Sequence, residues 1–247
     1  MNQSNQKLGD LDCTIIKDEN CKSPKSVVIL SHGYGASGSD LVSLGEQFIR
    51  LGAPYNEIVY VFPAAPTVID PLFDQRQWWH IDMERLQNMI MMGETREMRN
   101  DSPDELPSCR ASLTKVIDHC RVDYDLPAHK IIIGGFSQGS MLRTDVALHY
   151  PDRLGGLIVW SGALINAAVW VQKLKEKPTE HRLNVVQSHG RIDPIVPMGA
   201  GEDLRDTLTE HGHKVQFVEF NGQHGVPMEA ITAAAQLIKE VASNDEN

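Results

Sequence analysis

Positive charge is scarce in this chain: 23 Lys and Arg stand against 33 Asp and Glu among 247 residues, a formal net charge of −10. With a pI near 5.4, a nucleic-acid partner or an anionic membrane would be repelled, so neither is expected. Cysteine is also sparse. Cys13, Cys21, Cys109 and Cys120 form no CxxC pair and keep no metal-ligand spacing with histidine, so they read as free thiols of a reducing compartment. No His-x-x-x-His or Asp/His cluster recurs, and no metal site is expected. No apolar run approaches the roughly 18 residues a spanning helix needs, which argues against integral membrane association. The start, Met1-Asn2-Gln3-Ser4-Asn5-Gln6-Lys7, lacks an apolar segment. No secretory signal is read there, and a cytoplasmic location is expected. Repeats, low-complexity tracts and linkers are missing as well, which leaves one domain over 1–247 as the expectation. Hydrophobic residues at 41% suffice for a sizeable core and exclude disorder.

Short β-branched runs alternate with longer helical patterns. Strands are expected at Val27-Ser31, Glu57-Phe62, Lys130-Gly134, Gly156-Ser161, Leu183-Ser188 and Lys214-Phe220, with Cys13-Lys17 as an added edge strand. Helices are expected at Asp40-Leu51, Pro107-Val122, Gln138-His149, Gly199-His211 and Pro227-Ala242. In the last, Met228, Ile231, Ala235, Leu237, Ile238 and Val241 follow a 3.6-residue stripe. This alternation predicts an α/β fold with a mainly parallel central sheet and helices on both faces. Ligands of such sheets gather at the carboxyl ends of the strands.

One pentapeptide stands at such an end. Gly135-Phe136-Ser137-Gln138-Gly139 follows the run Lys130-Ile131-Ile132-Ile133-Gly134 and opens a helix. A serine flanked this way at a strand-to-helix junction sits on a turn tight enough to push its hydroxyl out of the sheet. The glycines are needed because a Cβ would collide with the neighbouring strand or helix. Asp193, in His189-Gly190-Arg191-Ile192-Asp193-Pro194, and His224, in Gly222-Gln223-His224-Gly225, follow later. Each also lies just past an expected strand, so all three would converge on one edge.

A serine hydroxyl is a poor nucleophile until a base takes its proton. His224 is the candidate base, and Asp193 would orient its imidazole and stabilise the charged form. The implied reaction is acyl transfer: attack on an ester or thioester carbonyl, an acyl-enzyme, then hydrolysis. Two donors are needed for the tetrahedral oxyanion. The backbone N–H of Gln138 supplies one. The glycine-rich loop His32-Gly33-Tyr34-Gly35-Ala36 supplies the other, through the N–H of Tyr34. Blander readings exist: Ser137 as a tight-turn serine, Asp193 as the turn starter of an Asp-Pro pair. With ten histidines in the chain, His224 is chosen because it alone follows both the last strand and the acid. His32 and His189 are read as loop-fixing residues bonded to backbone, and His119, His149 and His211 as helix-surface positions.

Together with Leu30-Ser31-His32-Gly33-Tyr34-Gly35, Phe62-Pro63-Ala64-Ala65-Pro66, Gln77-Trp78-Trp79 and His189-Gly190-x-x-Asp193-Pro194-x-Val196-Pro197, these motifs resemble the phospholipase/carboxylesterase family. That is the small α/β-hydrolase group containing bacterial carboxylesterases and the acyl-protein thioesterases. The resemblance runs from about residue 27 to the C-terminus. It implies an α/β-hydrolase fold, lidless or nearly so, acting on short acyl esters, thioesters or lysophospholipids without a cofactor. It supports Ser137, Asp193 and His224 as the triad, with Tyr34 and Gln138 as backbone donors, and places Trp78 beside the acyl pocket. Core filling is the other reading for Trp78 and for Trp79.

Departures from the family pattern occur at two places. The segment 82–107 is longer than the usual link, a cap-like insertion carrying Met83, Met89, Met91, Met92 and Met98. It reads either as a flexible apolar cover or as a surface helix spaced Met83-Leu86-Met89/Ile90. Arg143 and Asp145 lie in the helix after Ser137, facing solvent or pairing locally; if they face the interior, Asp145 requires a partner. The expected function is a serine carboxylester hydrolase acting on a small-molecule, short-chain acyl ester. An acyl-protein thioesterase or lysophospholipase would use the same machinery. A non-catalytic small-molecule receptor would have no need of an intact triad, and a peptidase would need an added domain or deeper cleft. A homodimer is compatible with this reading.

Overall fold

A computed structural model describes residues 1–92 and 95–244 of the chain; Gly93 and Glu94, inside the 82–107 segment, and the last three residues lie outside the described set. Ten strands alternate with seven helices among the described residues. In chain order they are β1 (Asn2–Leu8), β2 (Leu11–Lys17), β3 (Ser26–Ser31), α1 (Val42–Arg50), β4 (Ile58–Pro63), β5 (Thr67–Asp70), β6 (Gln75–Gln77), α2 (Met83–Met91) and α3 (Leu106–Asp123). There follow β7 (Ile131–Phe136), α4 (Gln138–His149), β8 (Gly156–Trp160), α5 (Ala167–Glu176), β9 (Asn184–Gly190), α6 (Met198–Glu210), β10 (Lys214–Phe220) and α7 (Met228–Ser243). Eight strands form one sheet in the order β1-β2-β4-β3-β7-β8-β9-β10, parallel from β4 onward, with β1 and β2 joined antiparallel.

Successive residues of a strand point to opposite faces, and here both faces are covered. Val27 and Ile29 pack with α3, α4, α5 and α6 on one side, whereas Val28 and Leu30 pack with α1 and α7 on the other. The same split separates Ile131 and Ile133 from Ile132. That is why β3 and β7 are apolar at nearly every position instead of alternating.

Apart from Cys13-Lys17, all six expected strands are present within two residues, as are the five expected helices. Cys13-Lys17 belongs to β2, but β2 is not the edge: β1 lies outside it, in register from Asn2 opposite Lys17 to Leu8 opposite Leu11. β1 reads Asn-Gln-Ser-Asn-Gln-Lys-Leu and buries only Leu8. A ladder of backbone hydrogen bonds, which carries no side-chain pattern, makes it a strand. The β5–β6 hairpin and α5 were also not expected. α5 buries Trp170 and Leu174, one helical turn apart. Among the described residues no helix is long and apolar enough to cross a membrane.

Arg143 and Asp145 both face the interior, fully buried. Asp145 is partnered, as an interior carboxylate must be: Arg110 Nη1 donates to its Oδ2 at 2.7 Å and the Trp170 indole to its Oδ1 at 2.8 Å. Arg143 donates from Nε to Ser31 Oγ at 2.9 Å. Its two terminal nitrogens have no hydrogen-bond partner among the described residues, and burial pushes its pKa down to about 9.

His213 makes the fold acid-sensitive. It is buried at the start of β10, and its Nδ1 accepts the Leu183 N–H at 3.1 Å. Protonation would turn that acceptor into a second donor. Burial, then the charges of Lys177, Arg182 and His211, push its pKa down to about 4, against about 6.5 unfolded. Near neutrality both states are uncharged and the group contributes nothing. Below about pH 6.5 the unfolded chain takes a proton that the folded one refuses, so stability falls and levels off near the folded pKa. Denaturant titrations at pH 7 and 5 should show this loss. In His213→Asn, which keeps an acceptor without a titrating group, the loss should shrink by about 1–2 kcal/mol; an unchanged loss would assign the acid sensitivity elsewhere.

Candidate active site

The carboxyl edge of the sheet carries the elbow. Ser137 sits between β7 and α4 at φ +52° and ψ −122°, a region that costs a non-glycine residue about 1–3 kcal/mol unless its surroundings impose it. They do so here. Its N–H donates to the Trp160 carbonyl at 2.8 Å, and its own carbonyl accepts the Ser140 N–H at 2.9 Å and the Ser140 hydroxyl at 2.7 Å. A Cβ at Gly135 would strike the Ser31 carbonyl oxygen, and one at Gly139 the carbonyl oxygens of Ser31 and His32. Only glycine lets α4 start this close to β3.

The loop after β9 presents Asp193. Its Oδ1 accepts the N–H groups of Ile195 and Val196, both at 2.9 Å, and its Oδ2 lies 2.7 Å from His224 Nδ1. Burial would raise the carboxyl pKa. The hydrogen bond and charge of His224, helped by the two N–H groups, outweigh it and hold Asp193 below its ordinary value. A carboxylate can only accept, so Nδ1 of His224 carries the proton, and in the neutral imidazole Nε2 is left as a lone pair. The His224 ring also packs on Phe136 with centroids 4.7 Å apart.

His32 and His189 are bonded to backbone. His32 Nε2 accepts the Ala65 N–H at 3.0 Å, so its Nδ1 donates to the Gly33 carbonyl at 2.8 Å. His189 Nε2 lies 2.7 Å from the Val196 carbonyl, bracing the Asp193 loop. The Gly33-Tyr34 loop is pinned from outside by the unexpected hairpin: Gly35 N–H donates to the Arg76 carbonyl at 2.8 Å, and Arg76 N–H to that of Ala36 at 3.1 Å.

Ser137, Gln138, Tyr34 and His224 line one cavity of about 490 Å³, with Asp193 behind His224. Its remaining wall is mostly apolar: Met83, Leu86 and Met89 from α2, Met98 beyond it, and Met141, Ile165, Ile195 and Trp79. Trp78 is not in that wall. It is 1% exposed and bonded into the interior, and the wall position falls to Trp79. The 82–107 segment resolves similarly. α2 is a surface helix, capped by Asp82 accepting the Arg85 N–H at 2.9 Å, and its inner face forms cavity wall while Met91 and Met92 are exposed. Ile165 was missed along with α5, which it precedes.

Comparison with known proteins gives these features a setting. The family model described as Phospholipase/Carboxylesterase matches residues 12–242. Acyl-protein thioesterase 1 of Debaryomyces hansenii is 29% identical over 233 residues, covering 89% of this chain and 93% of that one. Acyl-protein thioesterase 1 of Neurospora crassa is 26% identical over 218 residues, covering 87% and 86%. Among solved structures, esterase PE8 superposes with a TM-score of 0.73 at 22% identity, covering 98% of this chain and all of that one. Zea mays acyl-protein thioesterase 2 follows with a TM-score of 0.69 at 18% identity, covering 94% and 99%. With the family pattern matched over almost its whole length, the chain belongs to the phospholipase/carboxylesterase family of the α/β-hydrolase fold.

Proposed function

We propose that the protein hydrolyses carboxylic acyl esters or thioesters through an acyl-enzyme on Ser137, with His224 as general base and Asp193 orienting it. The observation that carries this reading is the shared cavity, lined both by a strained elbow serine and by a histidine whose Nδ1 is tied to a buried carboxylate. Ser137 Oγ would pass its proton to His224 Nε2 while bonding to the substrate's carbonyl carbon. The resulting oxyanion would accept the N–H groups of Tyr34 and Gln138. Gln138 is the first residue of α4, where an N–H has no intrahelical acceptor and the helix end carries partial positive charge. Collapse would expel the alcohol or thiol with the proton from His224. Water would then repeat the cycle and release the acid.

The expectation placed short-chain esters first. The apolar, methionine-rich wall and a volume of about 490 Å³ favour a longer acyl chain, because an acetyl group would leave most of that surface wet. The names of the Debaryomyces hansenii and Neurospora crassa relatives agree with thioester substrates as the second reading. A p-nitrophenyl ester series from acetate to palmitate, with matched acyl thioesters, tests both. Turnover should exceed the Ser137→Ala background and peak beyond butyrate; no serine-dependent turnover on any ester or thioester would overturn the hydrolase reading. Met89, 7% exposed in the wall, is a gauge of length. Met89→Trp should lower kcat/KM for the preferred chain by about tenfold or more and leave acetate within about threefold. An equal loss for all chains would remove α2 from the acyl path.

A further inference from the structure

The two oxyanion donors assigned above come from parts of the chain about a hundred residues apart, and one brace joins them. Gln138 is 1% exposed, so its side chain points into the protein while its N–H serves the cavity. Its amide bonds twice to one stretch of backbone: Oε1 accepts the Trp78 N–H at 2.9 Å, and Nε2 donates to the Trp79 carbonyl at 2.8 Å. These partners leave no freedom to flip the amide, since an N–H only donates and a carbonyl only accepts. The pair Trp78-Trp79 lies past the end of β6 in no strand. Gln138 supplies the bonds a neighbouring strand would have made.

Trp78 carries the link onward. Its indole N–H donates to the His32 carbonyl at 2.9 Å, and its ring lies 5.5 Å from the His32 ring between centroids. His32 immediately precedes Gly33-Tyr34 and is itself held at both ring nitrogens. The Cys109 thiol donates to the Trp78 carbonyl, holding the stretch from the α3 side. From elbow to oxyanion loop there is thus a continuous buried chain of hydrogen bonds. We propose that the Gln138 side chain and Trp78 are positioning residues, which hold the Gln138 and Tyr34 N–H groups at the spacing a tetrahedral oxyanion requires. The role rests on Ser137 being the nucleophile and adds to it: Trp78 serves transition-state geometry and not acyl contact. Placing Trp79 in the acyl wall is the brace's second consequence.

The test separates transition-state from ground-state binding. Gln138→Met removes both amide bonds and keeps the backbone donor; Trp78→Phe keeps an aromatic ring while removing the indole N–H and part of the buried ring volume. Each should lower kcat on p-nitrophenyl hexanoate by about 10–100-fold, less than the ~10²–10³ of deleting a donor outright. KM should stay within about threefold. Hexylboronic acid, which forms a tetrahedral adduct on a serine, should weaken in parallel with kcat, while the unreactive hexanamide should bind as before. The double variant should cost less than the product of the two single losses, since both cut one brace. If Gln138→Met does not fold, Trp78→Phe carries the test. Folded variants with kcat within about threefold of the wild type, or equal weakening of both inhibitors, would overturn the brace alone. A wild-type protein without Ser137-dependent turnover would overturn the hydrolase reading beneath it.

Discussion

Ser137→Ala should lower kcat by roughly 10⁶ while leaving the fold intact, the loss expected when one member of a nucleophile–base unit is removed. The size follows from what remains. His224 and Asp193 would still be hydrogen-bonded at 2.7 Å, but with no hydroxyl to deprotonate their arrangement stabilises nothing. Only the two backbone donors and the apolar wall would still act on the carbonyl. The hydroxyl can be removed cleanly because the strain at Ser137 lies in its backbone, held by the Trp160 carbonyl and by Ser140, and not in its Oγ. Kinetics on the preferred ester beside thermal melts of both proteins will check it. Turnover within about tenfold of the wild type would place the nucleophile elsewhere.

Asp145→Ala should be the most damaging substitution to stability, by about 3 kcal/mol, at the low end of the range for breaking a buried ion pair. Asp145 is fully buried and accepts from Arg110 and Trp170. Its removal leaves the Trp170 indole N–H, in a side chain with no exposure, without an acceptor, which costs about 1–3 kcal/mol. The Arg110 side chain is 24% exposed and can turn to water, which keeps the loss from rising further. Asp145→Asn should lose less, since its Oδ1 still accepts from Trp170. Denaturant unfolding of the three proteins decides it. Losses under about 1 kcal/mol in both variants would mean that the network is not structural. The folded fraction should keep its kcat, because Asp145 lies outside the cavity wall.

The strands and helices that bury side chains were legible, because burial writes itself into the residue pattern. β3, β7 and β8, and α4 and α7, follow the expected bounds within two residues. β1 was not legible: it exposes Asn, Gln, Ser and Lys and is held by backbone bonds common to every residue type. α5 carries only a short signal, Trp170 and Leu174 one helical turn apart. In the 82–107 segment the sequence favoured a surface helix that shapes substrate choice over a flexible cover, and the structure has a surface helix with its inner face in the cavity wall. One-dimensional spacing names the face of a helix but not what stands opposite it.

For the site, the sequence by itself determined which groups could do chemistry and in what order they come. Gly135 and Gly139 around Ser137 encode the elbow because the backbone clashes they avoid are local to that turn. Asp193 and His224 are marked by their places after successive strands. Tertiary structure alone decided the partners. It tied Asp193 to His224 Nδ1 and so set which nitrogen is free. It moved Trp78 out of the cavity wall and Trp79 into it, and it turned the Gln138 amide toward both. A residue's type and neighbours fix what bonds it can make. Which of those bonds form depends on atoms brought together from about thirty to sixty residues away, where sequence spacing no longer constrains distance.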